Sequence, residues 1–145
     1  MKKMKKYKIG YTQGTFDMFH IGHLNLLHQA KDQCEKLMVG INTDILVREY
    51  KHKTPVVCDS DRLKIVEEMR CVDEVFLCNT LNKCDIWQDH HFDAIFIGSD
   101  WKGNDRWKQT ENDLKQFGAE VVYLRHTDGV SSTLLRDQEK KRIND

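Results

Sequence analysis

Short apolar runs alternate with stretches of helical spacing along the whole chain. Five of these runs, at residues 9–12, 37–41, 74–77, 94–97 and 121–124, predict strands. They are short and mostly non-alternating, the pattern of strands covered on both faces. Between them lie helical patterns. Residues 21–34 place Ile21, Leu24, Leu27 and Ala30 on one stripe. A short helix over 45–49 follows a capping sequence at 42–44. Another begins at a cap on Asp59 or Ser60 and turns Leu63, Val66 and Met69 inward, with Ile65 beside them. Weaker helices are predicted at 85–90 and 113–117, the latter with a cap at Thr110. A final helix runs from a cap at Ser131 or Ser132 to about Lys141. Alternating strands and helices imply right-handed crossovers and a parallel sheet. The expected architecture is α/β: a doubly wound, five-stranded parallel sheet in a single domain over 1–145, with residues 1–7 as a basic tail.

In such folds the ligand lies beyond the carboxyl ends of the strands. The loops there are 13–23, 42–55, 98–103 and 125–133, and they carry nearly every distinctive residue. The first contains Gly14-Thr15-Phe16-Asp17-Met18-Phe19-His20-Ile21-Gly22-His23. Gly14 and Gly22 let backbone approach a ligand. His20 and His23 open a helix, where free N–H groups and the dipole favour anions. A metalloprotease would add a Glu after the first His and a third ligand, and a hydrolase a nucleophile motif. None is present, so donation to a phosphoryl group is the functional reading, against one of packing or capping histidines. Asp17 either orients a histidine, helps place a magnesium-bound phosphate, or shapes the turn. Arg48, Lys51 and Lys53 form a basic loop that closes over a triphosphate or is a solvated face. Arg62 and Arg70 either reach the site or make surface ion pairs. Ser131, Ser132 and Thr133, at a helix start, make a second anion cradle or an ordinary cap. Asp100 reads a base or ribose while Trp101 walls the pocket, or the two are a turn Asp and a core Trp.

Composition narrows the classes. Lys+Arg and Asp+Glu are 23 each, so no net charge calls for nucleic acid or an anionic membrane as partner. The 39% hydrophobic content supports one ordinary core, and no apolar run approaches the ~20 residues of a membrane span. Residues 1–6 carry the charge of a signal peptide's start without the apolar stretch that would follow. The five cysteines, Cys34, Cys58, Cys71, Cys78 and Cys84, include no Cys-x-x-Cys pair. A reducing cytoplasm is expected, with no disulfide framework and no metal site held by the protein.

Residues 9–136 resemble the small cytidylyltransferases of the nucleotidyltransferase superfamily, matching best the members that use glycerol 3-phosphate. Gly14–His23 is similar to the family's first signature, a histidine–any–glycine–histidine motif after a glycine-threonine-phenylalanine-aspartate turn. His126-Thr127-Asp128-Gly129-Val130-Ser131-Ser132-Thr133 is similar to the second, with His126 at the usual arginine and Arg125 one residue earlier. Lys51, Lys53, Asp61-Arg62, residues 72–75 and Gly98-Ser99-Asp100-Trp101 fall where the family has like residues. The resemblance implies a Rossmann-like fold and transfer of CMP from CTP to a small phosphorylated alcohol, giving a CDP-alcohol and pyrophosphate. It implies Mg2+ bound with the triphosphate, a homodimer, and no covalent intermediate. It implies that His20, His23 and Lys53 are catalytic. Gly14, Thr15, Phe16, Asp17, Gly22, Lys51, Asp100, Thr127, Gly129, Ser131, Ser132 and Thr133 would bind the nucleotide. Two other readings stay open: an adenylyltransferase making an ADP-sugar or related product, and a nucleotide-binding module without turnover. A class I aminoacyl-tRNA synthetase, the other reading of His20-Ile21-Gly22-His23, is disfavoured: a lysine-methionine-serine-lysine-serine loop is absent and the chain is short for tRNA-binding domains.

Overall fold

The structure, a computed structural model, describes residues 5–125. In chain order it has β1 (Tyr7–Gly14), α1 (Ile21–Gln33), β2 (Cys34–Asn42), α2 (Asp44–Lys51), α3 (Asp59–Glu67), β3 (Glu74–Cys78), α4 (Lys83–His90), β4 (Ala94–Gly98), a 3-10 turn (Ser99–Trp101), α5 (Asp105–Lys115) and β5 (Glu120–Leu124). The strands form one sheet in the order β3-β2-β1-β4-β5, and every pair is parallel. This is the expected five-stranded, doubly wound α/β sheet. The helix expected after residue 131 and the 126–133 loop lie outside the described residues.

Period-two alternation divides the core into two layers. Leu37, Val39, Ile41, Ala94 and Phe96 face Leu27 and Ala30 of α1 and Val66 of α3. Tyr11, Met38 and Ile95 face the other way, toward Ile86 of α4 and Leu114 of α5. Two glycines let the sheet close over large rings. A Cβ on Gly10 would sit 2.5 Å from the Phe96 ring and 2.7 Å from the Cys34 sulfur, and one on Gly40 would strike the Tyr11 hydroxyl.

The strands outrun their apolar runs. β1 pairs with β2 all the way from Tyr7↔Cys34 to Gly14↔Ile41, so backbone bonding carries both strands past the hydrophobic residues. Tyr7, assigned from sequence to the tail, is therefore the buried first residue of β1, its hydroxyl donating to Glu120 Oε2 at 2.6 Å. Likewise α2 runs on through Tyr50 and Lys51, which the sequence reading assigned to the loop. Cap positions also shift. Cys58, not Asp59 or Ser60, precedes α3 and makes no side-chain cap bond. Asn82 and Asn104 cap α4 and α5. The largest difference is α5, which starts at Asp105 rather than near residue 113. Only Leu114 of this helix is fully buried, so hydrophobic periodicity appears only at its end. Thr110 lies inside the helix, its hydroxyl donating to the Arg106 carbonyl.

Candidate active site

The chain leaves central β1 for β2 and β3 on one side, then crosses to β4 and β5 on the other. The reversal falls between β1 and β4, and the crevice beyond their carboxyl ends is where such sheets bind ligands. A cavity of about 380 Å³ opens there. Its floor is the ends of β1 and β4, from Thr12 to Phe16 and from Ile95 to Gly98. His23, Asn42, Tyr50 and Lys51 also line it, as do Asp100, Trp101 and Arg106, and Lys83 lies against Trp107 in the same lining.

The β1–α1 turn is bent beyond what glycine explains. Phe16 and Met18 both take left-handed backbone, at φ 52° and 48°. Such residues cost on the order of 1–3 kcal/mol each and persist only where their surroundings hold them. Two buried ionised side chains supply that hold. Both oxygens of Asp17 accept backbone N–H groups, from Val56 at 2.8 Å and Val57 at 2.9 Å. The Arg62 side chain, 1% exposed, donates to the carbonyls of Thr15, Asn42 and Val57 and to Asp44. It is therefore neither a ligand contact nor the surface ion pair the sequence allowed. Removing one member of a buried ion pair costs roughly 3–5 kcal/mol. Arg70, by contrast, is exposed.

The turn delivers the two imidazoles in stacked register, ring centroids 3.8 Å apart and planes 22° apart. His20 is the N-cap of α1. Its Nδ1 accepts from Gly22 N at 3.1 Å, while His23 Nδ1 accepts from His20 N at 3.2 Å. A nitrogen that accepts a backbone N–H carries no proton, so each neutral ring holds its hydrogen on Nε2. Burial lowers the pKa of His20 below the ordinary 6.5. Burial, then repulsion from His20, takes His23 down to about 4, against an opposing pull from Asp17. The Phe16 and Phe19 rings flank His23. The cap reading of both histidines is therefore met by their Nδ1 bonds, and each ring keeps an Nε2–H that takes no part in the cap.

The remaining expected residues divide by position. Gly14, Thr15, Phe16, Lys51 and Asp100 line the cavity with His23. Trp101 walls it half-exposed rather than sitting in the core. Asp17, His20 and Gly22 are not in its lining; Asp17 accepts the Val56 and Val57 N–H groups, and Gly22 donates its N–H to His20. Lys53 is exposed and not part of the wall, whereas Lys51 is. Thr127, Gly129, Ser131, Ser132 and Thr133, with His126, lie outside the described residues.

Sequence reading missed several wall residues. Gln13 Nε2 donates to Asn42 Oδ1 at 2.8 Å, and Asn42 Nδ2 donates to the Tyr50 hydroxyl at 3.1 Å, forming a polar chain across the ends of β1 and β2. Lys83 extends over the Trp107 ring, 5.6 Å from its centroid. Burial, reinforced by Arg106 and opposed by Cys78, lowers the Lys83 pKa to about 8. The signals that could have placed Lys83, Arg106 and Trp107 were the caps Asn82 and Asn104, each just before a helix that starts at the ligand edge. Among the described residues no three His, Cys, Asp or Glu gather as a metal site, and Asp100 is the one carboxylate in the cavity wall.

The Cytidylyltransferase-like family profile matches residues 11–138. The chain belongs to the cytidylyltransferase-like family. Within it, the chain is 38% identical over 126 residues to the glycerol-3-phosphate cytidylyltransferase of Bacillus spizizenii, covering 86% of this chain and 92% of that protein. It is also 32% identical over 133 residues to the bifunctional protein HldE of Paramagnetospirillum magneticum, covering 90% of this chain but 27% of that longer protein. The fold is shared with the lipopolysaccharide core biosynthesis protein of Thermoplasma volcanium, with a TM-score of 0.70, 23% identity, and 83% and 97% of the two chains covered. The matched span includes both the histidine turn and residues after β5.

Proposed function

We propose that this protein transfers CMP from CTP to a small phosphorylated alcohol, glycerol 3-phosphate or a close relative, releasing pyrophosphate. The observation that carries the reading is the stacked His20–His23 pair, whose Nε2–H donors are fixed by backbone bonds to both Nδ1 atoms beside a crevice at the sheet's switch point. Relatives at 31–38% identity named glycerol-3-phosphate cytidylyltransferase support the choice of nucleotide and acceptor.

In the reaction, an acceptor phosphate oxygen forms a bond to the α-phosphorus of CTP as the bond to the bridging oxygen of pyrophosphate breaks. Charge spreads over oxygen rather than carbon, so positioned donors are the main requirement. His20 and His23 donate Nε2–H to the α-phosphoryl and departing oxygens without changing protonation state. Lys51 and Lys53 neutralise the triphosphate, Lys51 from the wall and Lys53 from the exposed loop beyond α2. Lys83 and Arg106, both in the cavity lining, bind the acceptor's phosphate. Asp100 and Trp101 hold the nucleoside, and Ser131, Ser132 and Thr133 the outer phosphates. Magnesium would come bound to the triphosphate and supply neutralisation of phosphate charge, held mostly by nucleotide oxygens because the cavity wall carries a single carboxylate, Asp100.

The assembly we propose is a homodimer, with exposed Ile21, Ile45, Val56 and Leu77 as apolar surface available to a second copy. We place the protein in the cytoplasm, a reading favoured by the five unpaired cysteines. Among the described residues no helix is long and apolar enough to cross a membrane. Neither nucleic acid nor membrane is proposed as a partner. Pyrophosphate release with CTP or ATP across a panel of phosphorylated alcohols tests the reading. CTP-dependent release with glycerol 3-phosphate supports it. Preference for ATP with a sugar phosphate selects the adenylyltransferase, and binding without turnover selects the non-catalytic module.

A further inference from the structure

We infer that Arg62 is a positioning residue that locks the histidine turn and the lysine-bearing segment into one register, an inference that rests on the transfer reaction proposed above. One planar guanidinium serves four acceptors. Nε donates to Val57 O at 2.9 Å, Nη1 to Thr15 O at 2.7 Å and Asn42 O at 2.8 Å, and Nη2 to Asp44 Oδ1 at 2.6 Å. Each acceptor borders a different part of the site. Thr15 opens the strained turn that ends in His20. Asn42 closes β2 and holds the Tyr50 hydroxyl next to Lys51. Asp44 is the first residue of α2, which ends at Lys51. Val57 ties down the far end of the segment carrying Lys53, together with Asp17.

The side chain is sealed from water behind the turn. It touches no cavity surface, so its influence on the reaction passes through the backbone it holds. Lysine keeps the charge but not the fork, and its ammonium cannot meet four acceptors spread around a plane. The geometry therefore separates charge from orientation: a variant that preserves one and loses the other reports the positioning role.

The test is Arg62→Lys, with Asp44→Asn as a milder second variant that keeps an acceptor oxygen while removing the pair's negative charge. Folded material, verified by circular dichroism, is assayed for kcat, acceptor KM and CTP affinity, alone and combined with His20→Ala. We expect kcat to fall about 10- to 100-fold in Arg62→Lys, the scale of a misplaced catalytic group, and about 3- to 10-fold in Asp44→Asn. CTP affinity should change far less. In the His20→Ala background the same substitutions should cost clearly less than in the wild type, because the part of their effect that acts through that ring is already gone. A folded Arg62→Lys protein with wild-type kcat, or losses that simply multiply with His20→Ala, overturns the inference. If Arg62→Lys does not fold, Asp44→Asn alone decides by the same criteria. Turnover by the unaltered protein separates the two levels: its absence defeats the proposed reaction, whereas its presence with unaffected variants defeats only the role of Arg62.

Discussion

Replacing His23 by asparagine separates the two jobs its ring performs. The ring's Nδ1 accepts the His20 N–H and completes the cap of α1, while Nε2–H is the donor that the proposed reaction assigns to phosphate. Asparagine places Oδ1 where Nδ1 stood, so it retains the cap and deletes the donor. Alanine deletes both. The two variants share the loss of ring packing against Phe16 and Phe19, so their difference isolates the cap. A lost cap costs about 1 kcal/mol, which is roughly 3–5 °C in Tm for a chain of this size. A lost transition-state donor costs about 10²–10³-fold in kcat, or roughly 2.7–4 kcal/mol. Hence His23→Asn should melt a few degrees above His23→Ala while both show the same 10²–10³-fold fall in kcat. Thermal melting and continuous pyrophosphate release provide the two readouts. A His23→Asn protein with kcat within about 3-fold of wild type would refute the donor assignment, because the cap alone would then account for the residue.

Two pH effects follow from the same geometry. Lys83, with a pKa of about 8, loses its charge as pH rises through 8. The acceptor KM should climb above that pH, and Lys83→Ala should raise KM at pH 7 and abolish the climb, as steady-state kinetics over pH 6–9 would reveal. His23 has a folded pKa of about 4 against 6.5 unfolded, so over that interval the unfolded chain binds more protons. Stability should fall as pH drops from 6.5 toward 4, and the acid limb of kcat should lie well below 6.5; a limb at 6.5 would show that the rings titrate as exposed histidines do.

Legibility in the sequence followed burial. The buried stripes of the sheet announced all five strands, and the glycine-flanked histidines marked the loop at the switch point. What escaped was set by polar chemistry. Arg62 sits four residues before buried Val66, on the inward stripe of α3, but an arginine there reads as surface because only the partners at Thr15, Asn42, Val57 and Asp44 justify its burial. Helix α5 fully buries only Leu114, near its end, so its start was written only in the Asn104 cap. The left-handed residues of the turn are not glycines but Phe16 and Met18, which no local propensity favours. Their conformation is imposed by tertiary bonds from Asp17 and Arg62. The distinction between Lys51 and Lys53 likewise depended on where α2 ends.

The central claim is that two neutral imidazoles present Nε2–H to the nucleotide's reacting phosphate. Proton–nitrogen correlation spectra of protein labelled with 15N-histidine test it without any turnover. At pH 6.5 both His20 and His23 should show the Nε2–H form, with unprotonated Nδ1, and adding CTP should shift the Nε2 signals of this pair more than those of the other histidines. Rings found doubly protonated at that pH, protonated on Nδ1, or indifferent to saturating CTP would contradict the account.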